Sequence, residues 1–174
     1  MGSDDNSVTR EEHMTNEPCS VTMAHMMLPQ HANPAGNVHG GNIMKFIDDA
    51  AGVVAAKHAR TNTVTASIDR LDFHRPVFIG NLLIVKASLN ATGRTSMEIG
   101  VRVEAEDLRK GEVKHIASAY LTFVSLDANG RPAPVPPFTP TSEEGLRRAR
   151  EARHRKECHF QIQSRKLTKD DDRS

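Results

Sequence analysis

The chain has 174 residues and a formal net charge of +1 with histidine neutral, which fits one domain with tails and excludes a strong global field for nucleic acid or membranes. It has no apolar run of transmembrane length, and the stretch Met1 to Asn16 is polar and acidic, unlike a secretory signal. Cys19 and Cys158 fall in opposite flanks, the pattern of a cytoplasmic chain with two free thiols.

Residues 1 to 17 hold few apolar side chains and predict a disordered leader. Val21 to Leu28 predicts a first strand, followed by a loop from His31 to His39. A long helix follows, because Ile43, Phe46, Ile47, Ala50, Ala51, Val54, Ala55 and His58 recur at three- and four-residue steps. After Thr61-Asn62 the period changes: Thr63 to Phe73 is β-prone, and Arg75-Pro76 breaks it. Leu82 to Leu89 predicts the next strand. Met97, Ile99, Val101, Val103 and Ala105 then alternate with polar residues or glycine, which predicts a half-buried strand. Val113 to Leu126 reads as a long central strand, and the Pro132 to Pro140 run ends the compact region. One helix followed by strands at hairpin spacing predicts an α+β domain, an antiparallel sheet packed on that helix. From Thr141 the chain turns basic. Ser142-Glu-Glu-Gly-Leu starts like a capped helix, Arg147 to Lys156 has too few apolar residues to bury much, and a solvated helix fraying from about Gln163 is expected.

The chemistry concentrates where the loop meets the first helix. His39-Gly40-Gly41 opens that helix, so the N–H groups of Gly40 and Gly41, with the helix dipole, can receive a developing negative charge. Asp48 lies two turns on, too deep to cap, and reads as a base or nucleophile toward the same point; an ordinary boundary carboxylate is the plain alternative. Asp49 points elsewhere and reads as solvated. Asn33, held before Pro34, reads either as turn chemistry or as an amide that orients water or a carbonyl. His39 has no visible acid and nucleophile partners, so a serine-type triad is not argued. Thr92-Gly-Arg-Thr-Ser96 joins two strands as a hairpin loop, and its Arg94, Thr95 and Ser96 can also grip a phosphate, with Arg75 in a second such loop. None of the nine histidines falls at metal-ligand spacing, so no metal is expected.

Asn33-Pro-Ala-Gly-Asn-Val-His-Gly-Gly-Asn-Ile-Met-Lys-Phe-Ile-Asp48-Asp-Ala-Ala-Gly resembles the signature of hotdog-fold acyl-CoA thioesterases of the brain acyl-CoA hydrolase type and their single-domain bacterial relatives. Thr63 to Asp69, Asp72-Phe-His-Arg-Pro-Val, Ser96-Met-Glu-Ile, Ala117 to Leu126 and Gly130 to Pro136 resemble it as well. Together they span residues 18 to 137 in order, between the leader at 1–17 and a Pro-rich linker with a basic helix and tail at 138–174.

The resemblance implies a hotdog fold, an antiparallel sheet wrapped round one long helix. It also implies a dimer with joined sheets, further assembled as a trimer of dimers, with active sites at the dimer interface. Asp48 would be the catalytic carboxylate, Asn33 its partner from the other subunit, and Gly40 and Gly41 the oxyanion donors. His39, Arg75, Arg94, Thr95 and Ser96 would contact substrate. Vertebrate members carry two tandem domains, each keeping part of the Asn and Asp pair, whereas this chain has both. The expected reaction is hydrolysis of fatty acyl-CoA to free acid and CoA in the cytoplasm, with no cofactor and no nucleic-acid or membrane partner. Rival readings are a non-catalytic acyl-CoA sensor, a hotdog dehydratase and a purely structural hotdog domain.

Overall fold

The computed structural model describes residues 19–171, with side chains as far as His159. The leader expected over residues 1–17 lies outside the described residues. Five strands make one antiparallel sheet: β1 (Ser20–Met26), β2 (Asn62–Phe73), β3 (Leu82–Thr92), β4 (Ser96–Asp107) and β5 (Glu112–Leu126). The order across the sheet is β1-β3-β4-β5-β2, which leaves β1 and β2 as edges. Helix α1 (Gly40–Ala59) packs on one face, the architecture the resemblance implies.

The core follows from two periodicities. On α1, Ile43, Ile47, Ala50, Ala51, Val54 and Ala55 form one buried stripe. They meet the inward residues of β3 (Leu83, Val85, Ala87, Leu89), β4 (Met97, Ile99, Val101, Val103) and β5 (Ala119, Leu121, Phe123). Each large aliphatic side chain so buried is worth roughly 1.5–3 kcal/mol, enough to hold the helix whatever its intrinsic propensity. The helix stops where Arg60 turns left-handed at φ 55°, with its N–H on the Ala56 carbonyl.

Edge strand β2 is irregular. Thr65 pairs with Phe123 and Ser67 with Thr122, so the register shifts between them. Cross-strand partners share a face. Phe123 faces α1, since a Cβ on Gly52 would stand 3.7 Å from its ring. Thr65 therefore projects toward the helix and Ser67 away from it.

Two expectations are corrected past β5. The Pro-rich run does not end the compact region. Val135 is buried and its N–H bonds to the Arg94 carbonyl at 3.0 Å, while His58 Nε2 lies 2.8 Å from the Pro136 carbonyl. The basic helix α2 (Glu143–Asp171) begins as predicted, with Gly145 N–H donating to Ser142 Oγ, but it is docked rather than solvated. Ala149 and Ala152 are buried, and Arg148 donates to Ser88 Oγ on β3 at 2.7 Å. Arg155 grips Glu98 at 2.6 and 3.2 Å and lies 3.6 Å over the Tyr120 ring. Asn90 Nδ2 donates to the same Glu98 at 3.0 Å. Docking of this kind uses small residues and charge pairs instead of an apolar stripe, so hydrophobic periodicity does not reveal it. The helical backbone continues past Gln163, where fraying is expected, to Asp171.

Candidate active site

Asp48 sits half-buried on α1, one residue past buried Ile47. Thr65 Oγ1 reaches across from β2 and donates to its Oδ1 at 2.6 Å. That bond fixes the carboxylate and leaves Oδ2 without a hydrogen bond among the described residues. Thr65 is the residue that sequence reading overlooks. Its stretch carries the resemblance, yet only its pairing with Phe123 across the sheet shows that its hydroxyl faces the helix. Asp49 is the solvated carboxylate expected, paired with Lys45 one turn back at 2.6 Å.

The helix start is less open than the sequence implies. His39 is the N-cap, and its Nδ1 accepts the Gly41 N–H at 2.9 Å. Gly41 is thereby taken, which corrects the expectation of two free donors; Gly40 N–H has no acceptor among the described residues. The position of His39 is that of a cap, the structural role of a loop histidine.

Distance corrects a second expectation. Gly40 and Asp48 are eight residues apart on one helix, about 12 Å at 1.5 Å per residue. A carbonyl oxygen held at Gly40 and a carbon attacked from Asp48 of the same chain cannot belong to one thioester group. Asn33 likewise makes no hydrogen bond to Asp48. Its Oδ1 accepts the N–H groups of Ala35 and Asn37 at 2.9 and 3.1 Å, the turn chemistry foreseen for it. Its Nδ2 remains the end able to donate outward.

Around Asp48 the surface is apolar and open. Met44 and Val53 on α1, Ile68 on β2, and Phe73 and Phe78 beyond them are all exposed. Phe73 lies over the helix start, 3.8 Å from where a Gly40 Cβ would stand. This patch adjoins the unpaired edge of β2, a surface that proteins seldom leave bare.

The remaining predicted residues lie apart from Asp48. Arg75 is exposed between β2 and β3. Arg94, Thr95 and Ser96 form the β3–β4 turn, held by Ser125 N–H on the Thr95 carbonyl at 2.9 Å and Gly93 N–H on the Ser96 carbonyl at 2.7 Å. Two cavities of about 410 and 350 Å³ flank α2 on the opposite face of the sheet, and neither is lined by Asp48, Asn33 or Gly40. Among the described residues no cluster of side chains could hold a metal ion, and no helix is long and apolar enough to cross a membrane.

With this geometry in place, the likenesses to other proteins gain meaning. Residues 35–112 match the family model of the thioesterase superfamily. The uncharacterized acyl-CoA thioester hydrolase YkhA of Bacillus subtilis is 38% identical over 143 residues, 78% of this chain and 83% of that one. The cytosolic acyl coenzyme A thioester hydrolase of Rattus norvegicus is 38% identical over 136 residues, 77% of this chain but 36% of that longer protein. Among solved structures, an apo-hexameric acyl-CoA thioesterase superposes with a TM-score of 0.80 at 37% identity, covering 83% of this chain and 92% of its own. The acyl-CoA hydrolase of Staphylococcus aureus, solved with butyryl coenzyme A, coenzyme A and coenzyme A disulfide, gives 0.77 at 31% identity, covering 87% and 93%. It has also been solved with single alanine replacements of an aspartate, an asparagine and a threonine. Along that chain the three are spaced as Asp48, Asn33 and Thr65 are here.

Proposed function

The chain belongs to the thioesterase superfamily, among the acyl-CoA thioester hydrolases, and from that membership we propose that it hydrolyses fatty acyl-CoA to a free acid and coenzyme A. The observation that carries the reading is the Asp48 carboxylate, oriented by Thr65 Oγ1 at 2.6 Å on an open helix face beside an unpaired sheet edge.

The roles follow from the geometry. Asp48 Oδ2 takes a proton from water as that water attacks the thioester carbon, the C–S bond then breaks and the leaving coenzyme A thiolate takes up that proton; or Asp48 attacks the carbon itself, expelling the thiolate to give an anhydride that water then opens, releasing the acid and the proton for the thiolate. The developing oxyanion is held by Gly40 N–H at the positive end of α1; one such donor is worth on the order of 3 kcal/mol in the barrier. Asn33 Nδ2 orients the carbonyl or the water. Arg94, Thr95 and Ser96 contact the phosphates of coenzyme A, with Arg75 a weaker contributor. No resident cofactor or metal takes part.

The 12 Å between Gly40 and Asp48 makes a single chain half a site. Two copies joined along β2, burying Val64, Ile68 and Phe73, would set the Asp48 of one against the Asn33 and Gly40 of the other. Three such dimers would give a hexamer, and the hexameric relative supports that assembly. The likeness to a cytosolic hydrolase supports a cytoplasmic setting.

The test is coenzyme A release from short, medium and long acyl-CoAs by wild type beside Asp48→Asn. Detection is chromatographic, because Cys19 and Cys158 are free thiols that would consume a thiol dye. Release by wild type that is lost in the variant supports the reading and ranks the chain lengths. Acyl-CoA binding without release by wild type would replace it with the sensor.

A further inference from the structure

The loop that carries Asn33 is a small hairpin. Asn33 N–H donates to the Asn37 carbonyl at 2.7 Å, Ala32 bridges to Val38, and His39 N–H donates to the His31 carbonyl at 2.8 Å. Gly36, at φ 83°, closes the tip, where its N–H meets the Asn33 carbonyl at 3.0 Å. Asn33 thus stands at the tip, and His39, the cap of α1, stands at the base beside Gly40. Whatever holds His31 sets Asn33 relative to the Gly40 N–H. Two residues of α1 do so, one turn apart. Asn42 Nδ2 donates to the His31 carbonyl at 3.2 Å, so that one oxygen joins the hairpin base to the helix. The Phe46 ring meets the His31 imidazole edge-on at 5.7 Å between centroids, and is itself stacked on His25 of β1 at 4.2 Å. His31 Nδ1 accepts the Leu28 N–H at 3.1 Å, which fixes the ring. Asn42 and Phe46 share a face of α1, about 120–160° round the axis from Asp48. The helix therefore presents Asp48 to β2 on one flank and clamps the Asn33 hairpin on the other.

We infer that Asn42 is a positioning residue: its amide locks the hairpin to α1, so that Asn33 and the Gly40 N–H form one preset half-site for the Asp48 of a second copy. The inference rests on the proposal that Asn33 and Gly40 of one chain serve the Asp48 of another. Asn42 acts through His31 and takes no part in the chemistry. A donor lost at the base loosens the tip, and displaced reacting groups cost rate more than affinity. Asn42→Asp separates this role from helix stability. Position 42 is the third residue of α1, where a carboxylate suits the helix dipole. A residue that served only the helix would accept aspartate with Tm and rate unchanged or improved. A residue that clamps the hairpin would not, because aspartate sets an acceptor against the His31 carbonyl.

The experiment measures acyl-CoA hydrolysis and amide hydrogen exchange in wild type, Asn42→Asp and Asn42→Ala. In both variants kcat should fall roughly tenfold with KM within about twofold of wild type. The His39 amide should exchange roughly fivefold faster, while amides in the middle of α1 keep their protection. Wild-type kcat in Asn42→Asp, or a lower kcat with unchanged His39 exchange, overturns the inference. Mixing subunits locates the lesion. Oligomers of Asn42→Asp with Asp48→Asn contain sites that combine an intact hairpin from the second chain with Asp48 from the first, and those sites should regain wild-type kcat. Oligomers of Asn42→Asp with Asn33→Ala should be no faster than Asn42→Asp alone. Rescue by both partners or by neither overturns the inference. Asn33→Ala mixed with Asp48→Asn is the control: inactivity there refutes the shared site, whereas activity there without rescue of Asn42→Asp refutes only the role of Asn42. Wild type that releases no coenzyme A refutes the proposed reaction and this inference with it.

Discussion

Thr65 on edge strand β2 holds Asp48 on helix α1 by a 2.6 Å hydrogen bond, which ties the candidate catalytic carboxylate to a strand at the edge of the sheet. Removing the hydroxyl should cost orientation at the reacting carboxylate more than substrate affinity. A hydrogen bond to a charged group is worth about 1.5–3 kcal/mol, so Thr65→Val should lower kcat roughly ten- to a hundredfold with a smaller change in KM. Thr65→Ser keeps the donor and should recover most of the rate. Steady-state kinetics of the three proteins decides it, and wild-type kcat in the valine variant would remove Thr65 from the site.

Asp48→Asn should abolish turnover while the fold and the assembly, followed by circular dichroism and light scattering, stay intact. Asn33→Ala should also be inactive. Because Gly40 and Asp48 of one chain are about 12 Å apart, mixing the two inactive variants should restore activity in mixed oligomers that carry one intact pair. Verified mixed oligomers without activity would return both residues to a single chain.

His39 caps α1 through Gly41, so His39→Ala should cost about 0.5–2 kcal/mol of stability, seen as a lower Tm, and His39→Asn should recover most of it. Its effect on kcat should be modest. A collapse of kcat that asparagine does not repair would make the imidazole a proton carrier instead of a cap.

The clamp of α2 predicts a packing effect. A Cβ at position 100 would stand 2.7 Å from Asn90 Nδ2, so Gly100→Ala pushes out the amide that shares Glu98 with Arg155. Overpacking of this kind costs about 1–3 kcal/mol. Thermal unfolding should show the loss, and Asn90→Ala in the same chain should relieve part of it. Simple additivity of the two substitutions would mean they do not meet.

On the same face, Glu104 is shared by Lys86 at 2.6 Å and Arg102 at 2.8 Å, which hold its carboxyl below the usual carboxylate range. A pKa lowered in the folded state adds stability above the unfolded value near about 4.3, and that stability disappears as pH falls through the folded value. Glu104→Gln should therefore lower Tm slightly at neutral pH, by a free energy under about 1 kcal/mol because both cations are half exposed. Melting curves of the two proteins should converge as pH falls through the lowered folded-state value. A gap that persists in acid would assign the effect to packing.

The elements with a strong period were legible. The 3.6-residue stripe on α1 and the alternation in β4 appear where the sequence predicts them, because each buries one face against the other. Asp48 and Asn33 were legible as residues, and the turn around Asn33 takes the expected form. What escaped the sequence depends on contacts between distant segments. The reach of Thr65 across to Asp48 leaves no mark in composition. The docking of α2 relies on alanines and ion pairs, which read as a solvated helix. Gly100 was the available clue, since a glycine inside an alternating strand marks a close approach, here of Asn90.

The two helical turns between Gly40 and Asp48 carry one more consequence, for dosage. If each protomer holds half a site, activity follows the population of paired protomers. Below the dissociation constant of the pair that population varies with the square of protomer concentration, so halving expression would remove about three quarters of the activity rather than half. Such an enzyme responds to its own abundance, and a small drop in supply is amplified before any regulator acts.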